Sequence, residues 1–374
     1  MTASTTQAPL STPPVAITSA PAPAPTPANS LPIALSMGDP AGIGPEIIVK
    51  AWQRLLAQAA TMGTHPLPLW VAGSAAVFAD LMAAHAPEQQ MEVVASAQEA
   101  LMLWRQNPRN QALVLVDVGV SEQGLLPGCV SAVAGQLAGR AIAIAAEACL
   151  AGQARALVTA PIHKVAFELA GYPYPGHTEY LQALAARHAG CEVAQLPVRM
   201  LLANDELQTV LLSIHVSLRE ALDRVTLDNL GETLRLTHTG VLQGSGLYPR
   251  IAVAGVNPHA GESGRFGREE IDIMTPAIAQ AQAAGIDVVG PISPDTVFMR
   301  ARRGEFDVVV AAYHDQGLIP VKYMGVDDGV NVTLGLPFVR CSPDHGTAFD
   351  IAGQGVASPQ SLLKAIAWAM RGSK

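Results

Sequence analysis

Three histidines stand where apolar runs give way to polar residues. His215 closes "TVLLSIH", His259 closes "IAVAGVNPH" and His314 closes "VVVAAYH". In open α/β sheets, ligand sites form just beyond the carboxyl ends of the strands, so residues in this setting can converge although they are far apart in sequence. Imidazole suits Zn²⁺ and similar divalent ions, and three protein ligands leave a coordination position for water or substrate. The same placement also suits three unrelated loop histidines, and no local ligand motif decides between the two. Asp315 directly follows His314 and is placed to serve as an outer partner or a further ligand. Asp295, in "GPISPDTVF", follows another apolar run and equally suits a helix cap or an Asx turn.

A second group is cationic and polar: Lys322, Asn331 and, in "GLPFVRCS", Arg340. Arginine binds carboxylate or phosphate bidentately and lysine acts as a point charge; two surface charges are the alternative reading. In "PGHTEYL", His177 and Thr178 open a predicted helix, where free N–H groups favour an anion and where Thr178 also suits a simple cap. Neither G-x-G-x-x-G nor G-x-x-x-x-G-K-[ST] occurs, which argues against a Rossmann dehydrogenase and a P-loop enzyme.

These residues need a scaffold. Near-continuous apolar runs ("PIALSM", "LPLWVAG", "ALVLVDVG", "ARALVTAP", "LQTVLLSIH", "RIAVAGVNPH", "FDVVVAAYH") alternate with helix-like segments, as expected of an α/β protein whose mostly parallel strands are buried on both faces. No linker separates domains, which fits two lobes sharing one sheet. The 374 residues are 49% hydrophobic and 14% charged, enough for a large core. The net charge of −8 disfavours a general nucleic-acid binder. Four scattered cysteines suit a reducing compartment. No apolar run reaches membrane-spanning length, the best being "AIAIAAEACLA", interrupted by Glu147. Residues 1–30 are rich in Pro, Ala, Thr and Ser and contain no Lys or Arg, so a disordered tail without targeting character and a cytoplasmic protein are expected.

The blocks "MGDPAGIGPEI", "VTAPIHK", "GHTEYL", "HVSLREAL", "GVNPHAGESGRFGREE", "YHDQGLIPVK", "GVNVTLGLPFVR" and "DHGTAFDIAGQG" occur in order. Together the chain resembles the 4-hydroxythreonine-4-phosphate dehydrogenase family, over everything after the tail. The resemblance implies NAD-dependent oxidation of a phosphorylated hydroxy amino acid, with NADP as the alternative cofactor. The product is a β-keto acid that loses CO₂ to give 3-amino-2-oxopropyl phosphate. It implies a divalent metal (Zn, with Mg or Co as alternatives) on His215, His259 and His314. Substrate contacts fall on His177, Thr178, Lys322, Asn331 and Arg340. It further implies a homodimer with the active site at the subunit interface, and neither a nucleic-acid nor a membrane partner.

"GDPAGIGPE" and "HGTAFDIAGQGVASP" are similar to segments of isopropylmalate and isocitrate dehydrogenases. This likeness implies their two-lobed, non-Rossmann α/β/α fold with a largely parallel mixed sheet, and a cofactor loop of His345, Gly346, Thr347, Ala348 and Asp350. The expected lobes are 31–155 with 300–374, carrying the NAD loop, and 156–299, carrying metal ligands and the dimer interface. Asp295, Asp315 and Lys322 are the candidates for the base. His163, in "VTAPIHK", is assigned a local structural role, and Lys164 beside it is a further cation within reach of an anion. Relatives acting on 4-phospho-threonate, 4-phospho-erythronate or carboxylated cis-dihydrodiols share this machinery. The chain departs from the biosynthetic pattern at Val326, at the acidic pair Asp327–Asp328 and at Cys341, which leaves the substrate open among them. A metal-dependent hydrolase also suits three histidines with aspartates, but it has no use for the nicotinamide loop. A non-catalytic binding protein would not be expected to keep all three histidines.

Overall fold

The computed structural model describes residues 31–325 and 329–371. The tail 1–30 and the positions Val326, Asp327 and Asp328 lie outside the described residues.

Twelve strands form one sheet: β1 (Ile33–Ser36), β2 (Leu69–Gly73), β3 (Met91–Val94), β4 (Leu113–Asp117), β5 (Ala156–Thr159), β6 (Arg199–Ala203), β7 (Gln208–Leu211), β8 (Ile251–Ala254), β9 (Val288–Ile292), β10 (Val308–Ala311), β11 (Val330–Leu334) and β12 (Val339–Pro343), in the order β3-β4-β2-β1-β5-β12-β11-β6-β7-β10-β8-β9. β1, β2, β5, β8 and β10 are buried along their whole length. That is why they are apolar at every position rather than at alternate ones. Helices cover both faces, and five of them begin on Ser74, Ser96, Ser131, Ser217 or Thr226, each accepting a backbone N–H that the helix start leaves unpaired.

The sheet has two parallel blocks, β3-β4-β2-β1-β5-β12 and β7-β10-β8-β9. Between them, β11 runs antiparallel to β12 and to β6, and β6 runs antiparallel to β7. Three reversals in a row leave the two blocks pointing in opposite directions. The reversing strands β11 and β6 lie between the two blocks.

Two strands fall on the other side of the expected lobe boundaries. β5, beyond residue 155, pairs with β1 and β12 in the six-strand block, and β10, beyond residue 300, pairs with β7 and β8 in the four-strand block. The chain enters the second block after β5 and returns to the first only through β11 and β12. The helix Ala132–Leu150 also departs from expectation. Its 19 residues are long and apolar enough to cross a membrane by length and composition, contrary to the sequence expectation. Its position explains the composition: Leu137, Ala141, Ile142 and Ala145 are wholly buried in the main hydrophobic cluster with Leu35 and Val71, as in a core helix. A smaller cluster, including Leu202, Leu211, Val309 and Leu318, seats the helix His314–Tyr323 on the second block.

Candidate active site

A cavity of about 430 Å³ lies between the two sets of strand ends. The first block contributes Lys164, beyond β5, with Asp344, His345 and Gly346 beyond β12. The second contributes His215, beyond β7, and His314, beyond β10, with Lys322 farther along the same helix. The reversing strand β11 adds Asn331 and its neighbour β12 adds Arg340 and Ser342. The start of the helix His177–Ala189 brings His177, Thr178 and Glu179.

Arg340 is only 3% exposed. Its guanidinium donates to the hydroxyls Thr333 Oγ1 (3.1 Å) and Thr159 Oγ1 (2.7 Å), and its Nε is buried without a protein partner. Burial lowers its pKa to about 10, and Cys341 and Glu179 oppose that shift, so the group is charged at neutral pH. A buried cation held by neutral hydroxyls favours an anion arriving from the cavity. Beside it, burial and then the Arg340 charge push His177 well below the ordinary imidazole range, against the pull of the Ala160 carbonyl. His177 is therefore neutral near pH 7, and its Nε2 is buried without a partner. Lys322 forms an ion pair with Asp344 at 2.8 Å.

The His215 and His314 rings lie 5.8 Å apart, centroid to centroid. Burial, followed by the charges of Lys164 and His314, lowers the His215 pKa, which favours the neutral, ligating form. His314 donates from Nδ1 to Asp315 Oδ1 (2.7 Å), which leaves Nε2 available and fixes the ring through a carboxylate. This pair fits a divalent metal. His259 does not complete it within the chain: among the described residues no three His, Cys, Asp or Glu side chains lie close enough to hold a metal ion. The His259 ring faces Phe266 at 6.4 Å. Asp315 and both paired histidines also line an adjoining hollow of about 260 Å³.

His215 (φ 48°) and His259 (φ 52°) both have left-handed backbone conformations. At His259 this begins a run through Ala260, Gly261, Glu262, Ser263 and Gly264, all with positive φ. Such a conformation costs an L-residue about 1–2 kcal/mol and clusters at functional sites.

The expected cofactor loop packs on the "GDPAGIG" turn. Ile43 N donates to the Thr347 carbonyl (3.0 Å), and a Cβ at Gly42 would stand 2.7 Å from that same oxygen, so only glycine fits. His163 caps the helix Lys164–Leu169 by accepting from Ala166 N (3.4 Å) and stacks on Phe349 at 4.9 Å. His345 and Gly346 reach the cavity, and the buried His345 Nε2 has no protein partner, which fits a polar cofactor. Thr347, Ala348 and Asp350 are not among the residues that line the cavity. Ala348 has φ 44°, and exposed Asp350 accepts through its carbonyl from Gln354. Asp295 is not brought to the cavity; it accepts from the Ser293 hydroxyl (2.5 Å) in its own turn. Glu179 is a cavity residue outside the set expected from the sequence. Its signal was its place in the first turn of the helix that His177 opens.

The family described as pyridoxal phosphate biosynthetic protein PdxA matches residues 65–369. The chain is 49% identical over 342 residues to 4-hydroxythreonine-4-phosphate dehydrogenase of Beijerinckia indica, covering 91% of this chain and 94% of the relative. It is 43% identical over 341 residues to D-threonate 4-phosphate dehydrogenase of Salmonella typhimurium, covering 91% and 98%. The crystal structure of 4-hydroxythreonine-4-phosphate dehydrogenase from Klebsiella pneumoniae superposes with a TM-score of 0.77 at 41% identity, over 92% of this chain and 98% of that one. A terephthalate 1,2-cis-dihydrodiol dehydrogenase from Burkholderia xenovorans matches with a TM-score of 0.64 at 30% identity, over 91% and 98%. The chain belongs to the PdxA family, shares its fold and is a dehydrogenase of that family.

Proposed function

We propose that this PdxA-family dehydrogenase oxidises the C3 alcohol of 4-phosphooxy-L-threonine with NAD, or alternatively NADP. The C3 hydride passes to the nicotinamide and the hydroxyl proton to the protein. The resulting β-keto acid loses its carboxylate as CO₂, and protonation of the enolate yields 3-amino-2-oxopropyl phosphate. The observation that carries this reading is the buried, charged Arg340 beside the His215–His314 pair. It supplies an anion holder next to a site for polarising an alcohol.

His215 and His314 would hold a divalent ion from this chain, Zn²⁺ before Mg²⁺ or Co²⁺, with Asp315 orienting His314. Such an ion would supply Lewis acidity at the reacting oxygen. Arg340 and Asn331 bind the anionic end, and neutral His177 with Thr178 fixes the substrate's orientation. Of Asp295, Asp315 and Lys322, Lys322 lines the cavity, and its ion pair with Asp344 offers a route for the hydroxyl proton. Glu179 adds a carboxylate that suits the substrate ammonium. His345 and Gly346 approach the cofactor.

The working unit in this reading is a homodimer with shared sites, which brings His259 in as the third ligand. Supporting it, the exposed apolar side chains Leu218, Leu222, Ile319 and Tyr323 lie on the two helices that follow the paired histidines.

A second substrate, D-threonate 4-phosphate, is favoured by relatives of that name at 41–43% identity. It differs at C2, where a hydroxyl replaces the ammonium. Metal-loaded protein assayed for NADH formation with both compounds, D-erythronate 4-phosphate and a carboxylated cis-dihydrodiol tests the assignment. Preference for the amino acid by about tenfold or more in kcat/KM is expected, as for a site pairing a charged group. Preference for the threonate moves the reading to the second substrate, and no turnover of any of them overturns both.

A further inference from the structure

The left-handed turn that carries His259 is not maintained by local preference alone, since four of its six positive-φ residues, 259–264, are not glycine. A buried carboxylate lies under it. Glu270 is 2% exposed; its Oε1 accepts from the backbone N–H groups of Val256 (2.8 Å) and Asn257 (2.7 Å), and its Oε2 accepts from Asn257 Nδ2 (2.9 Å). The turn folds directly over this group: a Cβ at Gly261 would come within 2.8 Å of Oε2.

The hold extends sideways. Buried Gln316 donates from Nε2 to the Gly255 carbonyl (2.7 Å), on the Glu270 side, and accepts at Oε1 from Ala312 N (2.7 Å), at the end of β10. Ser213, at the end of β7, donates to the Ala312 carbonyl (2.9 Å). One buried polar chain thus joins the turns that carry His215, His259 and His314.

We propose that Glu270 is a positioning residue for His259: its carboxylate holds the left-handed turn and, through Gln316, fixes that turn against the one bearing His314. The consequence for metal binding rests on the reading given under Proposed function; the hold on the turn rests on the hydrogen bonds alone. Glu270→Gln keeps the volume but sets an amide N–H₂ against a donor in either orientation.

The test compares full-length wild-type and E270Q protein. In metal-free protein, amide hydrogen exchange of residues 255–266 is expected to be at least about tenfold faster in E270Q, with β1 and β2 unaltered. Zn²⁺ affinity, measured by competition with a chromophoric chelator, is expected to fall about 10–100-fold while NAD affinity stays the same. Unchanged exchange overturns the proposal. So does faster exchange with Zn²⁺ affinity equal to wild type, because the turn then positions no ligand. A wild-type protein that takes up no Zn²⁺ overturns the metal-site reading instead, and the exchange comparison then decides the hold by itself. If E270Q does not fold, Gly261→Ala, which leaves Glu270 in place and pushes the turn off it, is expected to show the same local exchange and affinity loss, and wild-type behaviour in it overturns the proposal.

Discussion

The two blocks of the sheet shape their site-forming turns differently. At the end of β1 the backbone turns through Gly38 (φ 71°), and close approach to the loop at Thr347, the expected cofactor loop, is permitted by Gly42, which lacks a Cβ. At the ends of β7 and β8 the left-handed positions are occupied by His215, His259, Ala260, Glu262 and Ser263, five of the six non-glycine positive-φ residues among those described. A glycine turn is close to its own conformational minimum. A histidine turn is not, and depends on Glu270, Gln316 and Ser213 behind it. The first design tolerates loss of distant contacts and is intolerant of added volume. The second is intolerant of lost hydrogen bonds.

The largest effect that separates the blocks is expected from His314→Ala. Lewis-acid catalysis is worth several kcal/mol, and about 1.4 kcal/mol is a factor of ten, so kcat is expected to fall by roughly three orders of magnitude or more. NAD affinity, measured by fluorescence titration, stays at the wild-type value; an equal loss of NAD affinity would erase the division of labour. Gly42→Ala is the converse. Overpacking against Thr347 costs about 1–3 kcal/mol, so the NAD dissociation constant rises about tenfold while Zn²⁺ affinity is unaltered. A metal-affinity loss of the same size would show that the blocks are not independent.

The smallest effect concerns pH and belongs to the junction. His177 is held neutral in the native protein, with its pKa far below the unfolded value of 6.5. The unfolded chain therefore binds more protons once the pH falls below about 6.5, and stability declines from there towards the lower native pKa. His177→Asn is expected to flatten the drop in Tm between about pH 7 and pH 5. An identical acid slope in the variant would remove His177 as a source.

The seven apolar runs picked out in the sequence became β1, β2, β4, β5, β7, β8 and β10. They were legible because burial on both faces writes a continuous hydrophobic signal. β3 and β9 are partly exposed edge strands with mixed sequences, and β6, β11 and β12 interleave polar residues such as Arg199, Asn331, Thr333 and Arg340 with apolar ones. β11 and β6 reverse the sheet, and with β12 beside them their mixed pattern hides where one block gives way to the other. His215 and His314 announced themselves by ending apolar strands. The position of His259 did not follow from the same rule, because its turn coils left-handed after β8 and no periodic pattern encodes that. Glu270 was silent for the same reason: its partners are backbone N–H groups, which every sequence carries.

A sheet of twelve strands ends at only two rims, β3 and β9, with Val93 and Val289 partly open to solvent. A rim of this kind is a template on which another chain can add a strand. Here Pro291, within β9, has no N–H to give to a newcomer, and exposed Glu92 places a charge on β3. The sheet is thereby guarded against growing into a ribbon by strand addition.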